Sequence, residues 1–425
     1  MESTLDKNLL KEFYLDYEFA TRALHAGEHL LQPGKSVSHT NAIYPSSTFI
    51  FEDAEHGRDM FQSKKEGYIY TRMGNPTAVV LEAKLNALEG KEVKMKDPEN
   101  TRVSSIIFSS GMSAISSVVL GLLDQGDLLI RGEELYGCTD DLFQKVLPRF
   151  GISQVEADTT DLPAFEKIMC RYPRAKVLYF ETPTNPTLKV TDMESVVKIA
   201  RRVNPEIVIV VDNTFATPYL QRPLMWGADV VVHSTTKYIG GHGTTVGGAF
   251  ITRHDWIKDR VYHAIKDLGG CPSPFDAWLI NMGLKTLPIR MERICSNAMI
   301  MANFLRSHSC INKVYYPGFE DFPGHQIAKK QMNNLFGGII SFDVKGGYEA
   351  AKIIMDNTHL FALAVSLGGV DSLIQHPATM THASVPEEQR LATGITDGLI
   401  RISVGLENVN DLQHDLDHAL KLICH

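Results

Sequence analysis

Lys237 closes the run Ser234-Thr235-Thr236-Lys237, and upstream of it Asp212 opens Asp212-Asn213-Thr214. A lysine amine can condense with an aldehyde or, as a free base, remove a proton, and a carboxylate can hold a cationic partner. Tyr136, followed by Gly137-Cys138-Thr139, offers an aromatic face and a phenol. Ser109-Ser110-Gly111-Met112 precedes a helical stretch beginning near Ser113. Free backbone N–H groups and the positive end of a helix dipole favour an anion such as phosphate there. Glu181-Thr182-Pro183-Thr184-Asn185-Pro186 reads as a rigid polar loop.

These groups need a scaffold that brings them together. Residues 103–108, 128–130, 177–180, 207–211 and 230–232 are short, continuous and rich in β-branched side chains. Between them, 114–123, 142–150, 162–171 and 193–203 have helical spacing, as does 78–88, with Leu81, Leu85 and Leu88 on one face and Gly90 as its stop. Continuous apolar strands alternating with helices predict an α/β fold with a mostly parallel sheet covered on both faces. Ligands of such sheets sit at the carboxyl ends of the strands, and every polar group above follows a predicted strand. Singly, each also reads as a cap, a turn or a solvated loop. Together, a phosphate cradle, an aromatic ring, a carboxylate and a lysine at one sheet edge are what a pyridoxal 5′-phosphate (PLP) site requires.

Three regions are expected: an irregular N-terminal arm at 1–75, a large domain at 76–270 and a smaller α+β domain at 271–425. The last is read from a long helical run at 276–305, strands at 338–344 and 399–404, and helices at 347–357 and 409–422. Gly241-His242-Gly243-Thr244-Thr245-Val246-Gly247 approaches a dinucleotide fingerprint, but it runs into an apparent strand at 248–251 and lacks the acidic partner within a βαβ unit. Asp and Glu outnumber Lys and Arg by 50 to 42, which argues against a nucleic-acid partner. No apolar run approaches the ~20 residues of a membrane span, and the first sixteen residues lack a signal-peptide layout, so a cytoplasmic chain without a membrane partner is expected. The six cysteines show no metal-ligand spacing and are expected to be free thiols, with no metal. The charged stretch 91–102 is expected to be a solvated loop.

At Val211-Asp212-Asn213-Thr214 and Ser234-Thr235-Thr236-Lys237 the chain resembles the Cys/Met-metabolism (trans-sulfuration) family of PLP enzymes. Further motifs along nearly the whole chain carry the resemblance: Tyr70-Thr71-Arg72-Met73-Gly74-Asn75-Pro76-Thr77, Ser110-Gly111-Met112, Ser366-Leu367-Gly368 and Arg401-Ile402-Ser403-Val404-Gly405-Leu406-Glu407. The resemblance implies a fold-type I architecture and a homotetramer built from two active dimers. Within the family, Cys138 beside Tyr136, the Lys266-Asp267 pair and an apolar Val365 before Ser366 resemble the methionine γ-lyase branch. Cystathionine γ-lyase and O-acetylhomoserine sulfhydrylase share almost every other residue, and a non-catalytic PLP-binding protein is the distant alternative. Thr235 stands where the family usually has alanine.

Carried over residue by residue, the resemblance makes Lys237 the cofactor-holding amine and the base at the substrate Cα. Asp212 faces the pyridine nitrogen, and Tyr136 stacks on the ring and protonates the departing sulfur. Gly111, Met112, Ser234 and Thr236 cradle the phosphate, with Tyr70 and Arg72 arriving from the neighbouring subunit. Arg401, helped by Asn185 and Ser366, grips the substrate carboxylate, while Cys138, Val365, Lys266 and Asp267 shape the substrate pocket. The expected reaction is γ-elimination of L-methionine to methanethiol, 2-oxobutanoate and ammonia.

Overall fold

A computed structural model describes residues 17–28, 38–96, 102–383 and 385–424. The segment 1–16, the Pro33-Gly34 turn and the centre of the 91–102 stretch lie outside these residues, but the stretch does not begin as a loop, because Lys91–Lys96 is helical.

Among the described residues, seven strands form one sheet: β1 (Ser104–Phe108), β2 (Leu128–Gly132), β3 (Ser153–Ala157), β4 (Val177–Glu181), β5 (Val208–Asp212), β6 (Val230–His233) and β7 (Gly248–Thr252). Their order is β1-β7-β6-β5-β4-β2-β3. The β6-β5-β4-β2-β3 pairings are parallel, while β7 runs antiparallel between β1 and β6. Side chains alternate across this sheet. Val208, Val210, Val230 and Val232 enter one core, and Ile209, Val211 and Val231 pack on the opposite side. Burying such a side chain is worth about 1.5–3 kcal/mol relative to leaving it exposed, so a sheet apolar on both faces must be covered on both.

Helix ends match local chemistry. Asn75 caps Pro76–Glu89, Ser110 caps Gly111–Leu122, and Asp161 and Asp192 cap Leu162–Arg171 and Met193–Val203, each through a side-chain oxygen accepting a first-turn N–H. Two expected helices differ. The run 276–305 is broken into Pro274–Leu284 and Leu287–Ser307, because Pro288 can only stand in the first turn of a new helix. The stretch 142–150 is a π turn at Leu142–Val146 followed by a 3₁₀ turn at Leu147–Phe150, where Pro148 removes a backbone donor.

A second sheet of five strands follows: β8 (Ile311–Tyr315), β9 (Ile339–Val344), β10 (Ala362–Leu363), β11 (Leu373–Gln375) and β12 (Leu399–Ser403), in the order β10-β11-β12-β9-β8. Helices Leu287–Ser307, Gly347–Asp356 and Val409–Lys421 cover it, sharing a core with Ile340, Phe342, Ile400 and Ile402. No described helix is long and apolar enough to cross a membrane. The expectation of six free thiols is corrected. Cys310 and Cys424 are joined as a disulfide, their Cα atoms 5.8 Å apart across 114 positions, whereas Cys138, Cys170, Cys271 and Cys295 are free. The final helix carries Cys424 back to the start of β8, a proximity that no local spacing announces.

Candidate active site

The carboxyl ends of β4, β5 and β6 and the N-terminus of Gly111–Leu122 meet at one edge of the large sheet. Ser110 Oγ accepts from Ser113 N at 3.0 Å, opening the helix three residues earlier than its apolar spacing suggests. A Cβ added to Gly111 would lie 2.8 Å from Ser234 Cβ, so only glycine lets the helix start approach the turn after β6. Ser234 N donates to Thr214 Oγ1 at 2.8 Å. Thr236 Oγ1 donates to Gly247 O at 3.1 Å and accepts from Gly247 N at 3.0 Å. Met112 follows Gly111 in the first turn of the same helix, and its sulfur accepts from the Thr139 hydroxyl at 3.8 Å.

Asp212 ends β5 with its carboxylate fixed from two sides. Oδ1 accepts from Thr214 N at 2.9 Å and Oδ2 from the Tyr179 hydroxyl at 3.2 Å. Burial raises its pKa, while hydrogen bonds from Thr214 and the nearby His233 oppose that rise. Behind it, His233 Nε2 and Glu89 Oε1 stand 2.6 Å apart with both side chains fully buried, and Asn213 Nδ2 donates to the same Glu89 oxygen at 3.2 Å. Tyr136 N donates to Glu181 Oε1 at 2.8 Å, which anchors the backbone while leaving the ring partly exposed. Cys138 Sγ donates to Tyr136 Oη at 3.5 Å. Burial first, and the Cys138 contact second, push the phenol up to about 12, so it carries its proton at neutral pH.

Lys237 Nζ donates to Ser366 Oγ at 2.9 Å and has no ion-pair partner among the described residues. Burial, and then the Arg401 guanidinium, lower the amine to about 8. Arg401 lies on β12 between Gln375 of β11 and Ser341 of β9, and is 3% exposed. Its Nη1 donates to Asn185 Oδ1 at 2.8 Å and its Nη2 to Ser366 O at 2.7 Å. The Gln375 amide, with its oxygen toward Arg401, accepts from the guanidinium at 3.0 to 3.1 Å. Ser341 Oγ donates to Pro186 O at 2.7 Å, holding the Asn185 loop of the large sheet against the smaller one. Ser366 has a φ of +104°, an uncommon conformation for a side-chain-bearing residue, and is clamped by Lys237 on one side and Arg401 on the other. Val365 beside it is 59% exposed.

Tyr70, Arg72, Lys266 and Asp267 form a separate group. Arg72 lies over the Tyr70 ring at 5.6 Å, and its Nη1 donates to Lys266 O. Lys266 and Asp267 occupy the last turn of the helix Asp255–Leu268. Among the described residues, no recorded contact of these four reaches Lys237, Asp212 or Ser234. Tyr179, Glu89 and Gln375 escape a sequence search because they lie within a strand, at a helix end and on a three-residue strand, and each acts through a partner distant in the chain.

The residues fit PLP. A buried carboxylate whose hydrogen-bond partners are neutral suits a cationic ring nitrogen. A depressed, unpaired lysine amine suits an aldehyde, and the closely approached helix start at Gly111 suits a phosphate. Comparison with known proteins agrees. The family model described as "Cys/Met metabolism PLP-dependent enzyme" matches residues 20–421. The L-methionine gamma-lyase of Fusobacterium nucleatum subsp. polymorphum is 48% identical over 96% of this chain and 99% of its own. The cystathionine gamma-lyase of Bacillus subtilis is 44% identical over 84% of this chain and 89% of its own. The crystal structure of metB from Corynebacterium glutamicum superposes with a TM-score of 0.86 at 40% identity, covering 96% of this chain and 99% of that one.

Proposed function

Because the chain belongs to the Cys/Met-metabolism family of PLP-dependent enzymes, with PLP as its cofactor and lyases among its relatives, we propose that it catalyses γ-elimination of L-methionine. Water is consumed, and methanethiol, 2-oxobutanoate and ammonia are released. Bound PLP supplies an electron sink for the bonds at the substrate Cα.

The protein's own residues supply the rest. Arg401, held in plane by Asn185 and Gln375, receives the substrate carboxylate as a bidentate fork. Lys237 removes the Cα proton, and the same amine reaches the adjacent Cβ. The observation that carries this role is its lowered pKa without an ion partner: a lysine at about 8 is available as free base far more often than one at its ordinary value. The Tyr136 phenol, protonated at neutral pH, gives its proton to the departing sulfur. Asp212 holds the ring nitrogen, while Gly111, Met112, Ser234 and Thr236 cradle the phosphate.

Methionine is favoured over cystathionine by what lines the outer pocket. Exposed Val365 offers no charge to a distal amino group, and Cys138 stands beside the phenol at a thioether-compatible position. Lys266 and Asp267 close that pocket from the neighbouring subunit. The arm 1–75 brings Tyr70 and Arg72 to the partner's phosphate, in a homotetramer made of two such dimers within the cytoplasm. Ile50, Phe61 and Leu268, at 98%, 67% and 67% exposure, supply the apolar surface for such contacts.

The test follows methanethiol and 2-oxobutanoate together from protein supplied with PLP and L-methionine. Equal release of both, faster than 2-oxobutanoate release from cystathionine and lost in Lys237→Ala, is the expected result. Turnover of cystathionine but not methionine would move the assignment to the second reading, which the Bacillus subtilis relative favours.

A further inference from the structure

Beyond the PLP site, a second group of reactive side chains lies where the chain ends. Cys310 begins the approach to β8, Cys424 follows the helix Val409–Lys421, and His308 stands beside both. A ring nitrogen of His308 and the two sulfurs all lie within 4.8 Å of one another. The His308 Nδ1 atom lies 3.9 Å from Cys424 Sγ, and in the cross-linked state it accepts a long hydrogen bond from Cys310 N at 3.4 Å, a contact it must give up to take a thiol proton. On the far side of the ring, Nε2 is 3.7 Å from Asp417 Oδ1. The Ser309 hydroxyl completes the surroundings, 3.8 Å from Cys424 Sγ and 4.0 Å from Cys310 Sγ. Cys310 is 6% exposed, while Cys424 is partly open to solvent. A purely structural staple needs neither a neighbouring imidazole nor a sulfur that solvent can reach, and this pair has both.

We propose that Cys310 and Cys424 form a thiol–disulfide exchange site for low-molecular-mass disulfides, with Cys424 as the attacking sulfur and His308 as its base. In the oxidising direction, Cys424 passes its proton to His308 Nδ1. The resulting thiolate attacks one sulfur of oxidised glutathione, whose S–S bond breaks, and the leaving glutathione thiolate takes the proton back from His308. The mixed disulfide on Cys424 is then attacked by Cys310. The Cys310–Cys424 bond forms, the second glutathione leaves, and the Cys310 proton goes with it. The two thiols lose two electrons and oxidised glutathione gains them, yielding two reduced glutathiones. The consequence is local: the C-terminal segment is tied to the outer strand of the sheet that carries Arg401.

The experiment incubates PLP-loaded full-length protein in buffers of varied oxidised-to-reduced glutathione ratio, quenches with acid, alkylates, and maps each cysteine by mass spectrometry. Expected is a reversible change from two alkylated cysteines to one cross-linked peptide, with a higher unfolding temperature in the cross-linked form. Glutathione should be found transiently on Cys424, and should accumulate there in Cys310→Ser. His308→Gln should slow exchange about tenfold while leaving the final ratio unchanged. A pair whose state ignores the glutathione ratio overturns the proposal, as does first attachment at Cys310 or an unaltered rate in His308→Gln. Stoichiometric Zn²⁺ retained by the reduced protein, with both thiols then inert, would replace it with a metal site. If the variants do not fold, the wild-type titration and the site of first attachment still decide.

Discussion

Lys237 sits where burial and the Arg401 guanidinium both disfavour an ammonium ion, and its amine falls from its ordinary 10.5 to about 8. In the unfolded chain neither influence remains, so between these two values the unfolded state binds more protons than the folded one. Stability therefore rises with pH across that window. The cost of folding around the charged amine is fully present below the lower value and is lifted as pH climbs toward the upper one. Replacing Lys237 with methionine removes the cost without removing the stem's packing. In protein prepared without cofactor, Lys237→Met should unfold at a higher temperature than wild type near about pH 7, with the gap narrowing by about pH 9. Calorimetry of both proteins at the two pH values checks this, and a gap independent of pH would mean that the amine is not depressed.

At the scale of elements, the turn Ser366-Leu367-Gly368 shows why a motif can be legible while its reason is not. Gly368 has a φ of +75°, and a Cβ there would lie 2.6 Å from the backbone nitrogen of Tyr238, the residue after Lys237. Its N–H donates to Ser403 Oγ at 2.9 Å, on the strand that carries Arg401. The turn thus spaces the lysine loop from β12, and neither neighbour can yield, because one is backbone and the other a central strand. Gly368→Ala should lower stability by about 1–3 kcal/mol, the usual cost of overpacking a filled site, and should reduce turnover by shifting Lys237 relative to Arg401. Denaturant unfolding and steady-state elimination rates test the two parts; an unchanged rate at reduced stability would confine the turn to a structural role.

The same scale separates what a sequence displays from what it conceals. The central strands and the helices Leu162–Arg171 and Met193–Val203 are legible because both faces of the sheet and one face of each helix are buried, which leaves a clean apolar pattern. Strand β3 is not, since Ser153, Gln154 and Glu156 at the sheet's edge carry no such pattern. The Lys237, Asp212 and Tyr136 set is legible because strand ends concentrate it. Tyr179, hydrogen-bonded to Asp212, sits within a strand whose tyrosine reads as one more apolar residue. Gln375 faces Arg401 only through the register of two strands, and the Cys310–Cys424 pairing depends on how the last helix returns to the smaller sheet.

For the whole molecule, the decisive fact is where Tyr70 and Arg72 lie. Both are cationic or aromatic groups suited to a phosphate, yet within the described chain they contact one another and the end of the helix Asp255–Leu268, not the Gly111–Ser234 cradle. If they serve a second copy, each active site is assembled from Lys237 of one subunit and Arg72 of the other. That arrangement predicts complementation. Arg72→Ala and Lys237→Ala should each be inactive or nearly so as homo-oligomers, the first through loss of cofactor grip and the second through loss of the base. A mixed dimer has one site with both defects and one with neither, because the intact Lys237 of the Arg72→Ala subunit meets the intact Arg72 of the other. Random pairing of equal amounts makes half of the dimers mixed, so co-expression should restore about a quarter of wild-type activity. Sites built within single subunits would leave every mixed dimer carrying one defect per site, and co-expression would restore nothing.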